Sequence, residues 1–136
     1  MSARRVAARA FAIGAWVLVA AIVVQFLLAG LGIFYNPDFF FWHAVVNAAV
    51  LFFGALLLAG AGWLGGAPRR LIGLAAAVAG LVVVQSLLLV PYHMPAAGLL
   101  RAVAGVHVVN ALVIFWAALR LLEQTRQWSY HPTRGD

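Results

Sequence analysis

Two glutamines, two histidines and two asparagines account for nearly all the polar side chains inside the long apolar runs of this chain: Gln25 and Gln85, His43 and His107, Asn47 and Asn110. The histidines are the pair with chemistry to offer. A neutral imidazole presents one ring nitrogen as a hydrogen-bond donor and the other as a lone pair for a metal. Placing it in hydrocarbon is costly unless it is bonded, and ionisable residues inside membrane segments usually face the bundle interior and mark function. Two imidazoles at equal depth on alternate helices of a four-helix bundle can point at each other and hold a haem iron between two neutral nitrogens, with the porphyrin edge-on between helices. His43 and His107 are therefore the candidate metal ligands. Asn47 follows His43 by four residues and Asn110 follows His107 by three, and either spacing keeps the pair on one helical face.

The elements that must position these residues are legible in the composition. The chain is 66% hydrophobic and 9% charged, well above the roughly 45–50% apolar content of soluble domains. Polar and Pro-containing joints divide it into four segments, Phe11–Phe34, Phe40–Trp63, Leu71–Val90 and about Leu99–Leu121. A hydrocarbon core about 30 Å thick needs roughly 20 helical residues, which each segment supplies. Transmembrane strands are excluded, because the segments are apolar on every face and satisfy their backbone only as helices. The expected fold is all-α: a single integral-membrane four-helix bundle in the lipid bilayer, followed by a polar tail over residues 123–136. The first run is too long for the apolar core of a signal peptide, so a retained helix is expected. The absence of cysteine removes disulfides, thiolate metal sites and cysteine nucleophiles.

If the segments alternate, Arg4, Arg5, Arg9, Arg69, Arg70, Arg120, Arg126 and Arg134 share one side and Arg101 alone is on the other. The positive-inside rule then puts both termini in the cytoplasm. The net charge of +6 sets topology and meets anionic headgroups, leaving no soluble basic face for nucleic acid.

"VVQFLL" (residues 23–28) matches "VVQSLL" (83–88) at five of six positions, and the histidines match in turn, so the chain reads as two copies of one helical hairpin. Gln25 and Gln85 each lie fourteen residues from the inner end of their segment, about 21 Å along a helix. The histidines fall one to two turns below the outer ends of their own segments, which gives one polar layer near the outer face. In that layer Gln25 and Gln85 can bond the second imidazole nitrogen, or else join helices. Arg101, six residues before His107, can meet a carboxylate at the rim with help from Tyr92 or His93, or simply reach the interface. Small residues (Gly30, Gly32, Ala44, Ala48, Ala104 and Gly105) leave room for a flat guest, though ordinary membrane helix packing uses the same types. Asn47 and Asn110 would seal the interior one turn deeper.

A Gln late in an odd helix followed by a His early in the next, given twice, resembles one half of haem A synthase, and looks like small four-helix bacterial membrane proteins with this layout. The likeness covers Val23–Leu122. It implies His43 and His107 as axial ligands of a b-type haem (haem b). The chain departs from that family where an acidic residue would precede the first histidine, since "FFFWH" has Phe39 and Phe40 there, and in lacking outer-loop cysteines. Haem binding is carried over and haem oxidation is not.

Asp38, Glu123 and Asp136 are the only acids, and no Ser/His/Asp set, metal-hydrolase cluster or phosphate loop is present. The leading expectation is a bis-histidine b-haem protein that passes single electrons or holds haem near the outer face, with a membrane redox partner or a quinone as its counterpart. Two others stand beside it. One is a non-catalytic helical subunit or assembly factor whose His–Asn pairs bond across helices, and the other is a small-solute or proton transporter.

Overall fold

The computed structural model describes residues 2–93, 98 and 102–130. Among the described residues four helices are long and apolar enough to cross a membrane: α1 (Ala3–Phe34), α2 (Phe39–Gly65), α3 (Arg69–Leu87) and α4 (Val106–Tyr130). No strand occurs among the described residues. The molecule is an all-α, multi-pass membrane protein. α1 and α3 each pack along both α2 and α4, so α2 and α4, which carry the histidines, stand diagonally across the bundle.

The repeat runs deeper than the six-residue match. Phe11, Ala15, Leu18, Ile22 and Gln25 form the buried stripe of α1, and sixty residues on Leu71, Ala75, Val78, Val82 and Gln85 form that of α3. In the even helices Leu51, Ala55 and Leu58 recur sixty-three residues later as Ile114, Ala118 and Leu121, whereas the histidines are sixty-four apart. The first copy thus holds one extra residue between its histidine and its core stripe. α2 absorbs it by winding as a π-helix over Val46–Phe52, between α-helical Phe39–Val45 and Phe53–Gly65. A residue added to a plain α-helix would turn everything beyond it by about 100°, taking either His43 or Leu51 off the inner face.

The turns follow local chemistry. Between α1 and α2, the Asp38 N–H donates to Asn36 Oδ1 at 2.9 Å, closing an Asx turn around Pro37. α2 ends at Gly66, left-handed at φ 74°, with Ala67 N–H bonded to Gly62 O at 2.8 Å and Gly66 N–H to Trp63 O at 3.1 Å. This is a Schellman stop, after which Pro68 precedes the first turn of α3. Beside it, Gly65 lets α1 come so close that a Cβ would lie 2.8 Å from the Ala8 backbone nitrogen.

Four boundaries differ from expectation by more than two residues. α1 starts at Ala3, since arginine and alanine continue the helix beyond the apolar run. α3 stops at Leu87, and a single helical turn follows at Val90–His93. α4 begins at Val106 and runs on to Tyr130, so the first part of the expected tail, residues 123–130, is helix. Leu121, Leu122, Thr125 and Trp128 share the spacing of one helical face, which keeps that stretch on the bundle. Thr125 is buried, and Trp128 meets Phe11 edge-on with ring centroids 6.0 Å apart. Arg126 lies over the Trp16 ring at 5.8 Å, and Arg120 bonds Glu123 at 3.0 Å. His131 and Arg134 lie outside the described residues.

Candidate functional site

The two histidines are held the same way. His43 Nδ1 is 3.1 Å from the backbone carbonyl of Gln25, and His107 Nδ1 is 2.9 Å from that of Gln85. A carbonyl oxygen only accepts, so in each bond Nδ1–H donates and Nε2 keeps its lone pair. The glutamines therefore do set the imidazole tautomer, but through their main chain and not through the side-chain amides expected for this role.

Both imidazoles are half-buried, and both line the same two cavities. One, of about 190 Å³, is bordered by Gln25 and Phe26 of α1, Gln85 of α3 and Val108 of α4. The other, of about 470 Å³, is bordered by Ala44, Asn47 and Ala48 of α2 and by Ser86, Leu89 and Val90 beside them. The rings thus approach from diagonal helices into a slot running from the α1–α4 side to the α2–α3 side. Among the described residues no three His, Cys, Asp or Glu side chains gather to hold a bare metal ion. Two imidazole lone pairs suit a metal that brings its own equatorial ligands, as a porphyrin iron does.

The next layer breaks the symmetry. Asn110, 8% exposed, donates to Gln85 Oε1 at 2.6 Å and to the Leu81 carbonyl at 2.9 Å, sealing the interior as expected. Asn47 does not do the same for the first hairpin. It is half-buried and donates across to Ser86 Oγ on α3 at 3.2 Å, while Ser86 donates to the Val82 carbonyl at 3.2 Å. The extra residue before Asn47, at the start of the π segment, accounts for this change of partner. Gln25 is 5% exposed and its Oε1 is buried with no hydrogen-bond partner. Left unmet, such an acceptor costs about 1–3 kcal/mol.

Of the small residues, Ala44 and Ala48 line the larger cavity, but Gly32 serves packing, since a Cβ there would come within 2.8 Å of the Phe40 ring. Gly30, Ala104 and Gly105 line neither cavity. Arg101 lies outside the described residues, as do the side chains of Tyr92 and His93. The residue that sequence reasoning passed over is Ser86. Its signal was the one mismatch in the repeated hexapeptide, where Phe26 of the first copy becomes Ser86 of the second. Phe26 instead packs edge-on against Phe115 at 5.9 Å.

Residues 25–91 match the model of DUF6220, a family of unknown function. The matched stretch holds Gln25, His43, Asn47 and Gln85, and it ends before His107 and Asn110. No curated protein and no solved structure matches the chain.

Proposed function

We propose that the protein is a membrane-embedded bis-histidine haem b protein that passes single electrons or holds haem, and that His43 and His107 are the residues that would hold the iron. What carries this reading is that both imidazoles, on diagonal helices, spend Nδ1–H on a carbonyl and keep Nε2 for the slot they share. Fixing one ring nitrogen by a carbonyl orients the other and raises its basicity as a ligand. The likeness to one half of haem A synthase rests on the same histidines and supports the same roles. Bound between the two imidazoles, a haem would supply a one-electron iron couple, and with both histidines on the iron electron transfer would be favoured over oxygen binding. The lining of both cavities is mostly apolar, which suits the flat face of a macrocycle, and Ala44 and Ala48 leave width at the α2–α3 opening. A quinone or a membrane protein is the redox counterpart. With the arginine-rich ends in the cytoplasm by the positive-inside rule, the site lies toward the outer leaflet.

The test is the visible spectrum of detergent-purified protein expressed with added haem. A Soret band with sharp reduced α and β bands is expected, and His43→Ala or His107→Ala should each abolish the low-spin form. Colourless wild-type protein refutes the proposal. It would turn attention to a helical subunit joined by these hydrogen bonds, with solute flux in proteoliposomes separating that from a transporter.

A further inference from the structure

The two hairpins offer a guest equal imidazoles and unequal amides. On α3 the Gln85 side-chain oxygen is taken by Asn110 at 2.6 Å, and that flank is closed. On α1 the Gln25 amide lines the same 190 Å³ cavity as both histidines, is 95% buried, and has no partner for Oε1. The residue that would close it, Asn47, is committed to Ser86 on the far side.

We propose that the guest is held in one orientation, with a carboxyl group on its edge paired to the Gln25 amide. This rests on the haem reading and adds which edge of the macrocycle faces which helix. A carboxylic acid and a primary amide are matched groups: the acid O–H donates to Oε1, and the amide Nε2–H donates to the acid carbonyl. The pairing satisfies the orphaned acceptor without placing a charge in the apolar slot. A b-type porphyrin has both of its carboxyl side chains on one edge. The bundle's pseudo-twofold axis relates two placements of that edge, one toward α1 and one toward α3. Equal hairpins would accept both, and only the α1 side has an amide to give.

The hyperfine-shifted haem methyl signals in the proton NMR spectrum of the ferric low-spin protein count the orientations. Wild type reconstituted with iron protoporphyrin XIII, whose two halves are equivalent about the axis through its carboxyl edge so that a flip about that axis adds no signals, should give one dominant set. Wild type carrying the dimethyl ester of the same porphyrin, which has no acid proton, should give two sets of comparable intensity, and so should Gln25→Leu with the free acid. Two comparable sets in wild type with the free acid overturn the proposal. So does one dominant set that survives both the ester and Gln25→Leu, since Gln25 would then be satisfied by water alone. The ester arm needs no mutation, so a folding defect in Gln25→Leu cannot decide the matter. A colourless wild type fails at the earlier step and refutes the haem reading itself.

Discussion

In the first hairpin three residues separate histidine from asparagine and in the second only two, and the consequences of that difference spread over a full turn of helix. Asn110 lies inside, bonded to its own hairpin's glutamine, while Asn47 reaches across to Ser86 and leaves Gln25 Oε1 without a partner. Phe26 and Ser86, the sole mismatch in the shared hexapeptide, sit at the same divergence. The histidines themselves are untouched, because a π segment restores the register beyond them. One inserted residue can therefore re-aim a single side chain while the ligand pair and the core on either side stay in phase. Bulges of this kind are frequent at functional sites.

At the other end of the bundle the contrast is one of size. Gly65 of the first hairpin and Trp128, sixty-three residues later, occupy equivalent places. The glycine brings α2 onto the α1 backbone, and the tryptophan packs on Phe11. The largest effect should come from destroying this inequality. Gly65→Leu sets a Cβ against backbone atoms of Ala8 that no rotamer change can move, and it should destabilise the protein by about 3 kcal/mol. Equilibrium unfolding in mixed micelles reads this, and an unchanged midpoint would mean that the close approach is not a constraint.

The asparagines test the comparison directly. Asn110→Leu removes two hydrogen bonds and orphans Gln85 Oε1, for an expected loss of about 2 kcal/mol. Asn47→Leu breaks one bond to an exposed hydroxyl and should cost about 0.6 kcal/mol, the usual size of a polar contact between membrane helices. Equal losses would erase the distinction drawn between the two hairpins.

Deleting Val46 should repair the asymmetry. The sequence after His43 becomes spaced like that after His107, α2 winds as a plain α-helix, and Asn47 comes round to Gln25. A gain of about 1 kcal/mol is expected, together with loss of the Asn47–Ser86 contact, visible as a shift of the asparagine side-chain amide resonances. A large loss of stability would instead mean that the π segment is required by the packing of α2 against α1 and α3.

Much of this was legible without coordinates. Four spans, the all-α class, the paired hairpins and the inward histidines follow from apolar length and from rare polar residues recurring at matched spacing. The spacing of His43 and Asn47 was visible too, but four residues and three both keep a pair on one face of an ideal helix, so nothing in it announced a π turn. A sequence displays side chains, so it offers the glutamines as side-chain partners of the imidazoles or as links between helices, and Gln85 does accept from Asn110 on the next helix. It was the main chain of Gln25 and Gln85 that met the imidazoles. The stretch after Leu122 looked like tail because it is polar, yet Thr125 and Trp128 fall on the buried stripe and hold it to the bundle.

What the amino-acid order determined by itself was whatever depends on local chemistry: which segments are apolar enough to leave water, where glycine and proline stop a helix, and that an imidazole recurs in the matching place of each hairpin. What only the tertiary structure decided was how each polar group is satisfied. In an apolar interior a hydrogen bond needs a partner within about 3 Å. Which atom stands there depends on how helices distant in sequence are rotated against one another, and one residue of slip in α2 was enough to send Asn47 to a different helix.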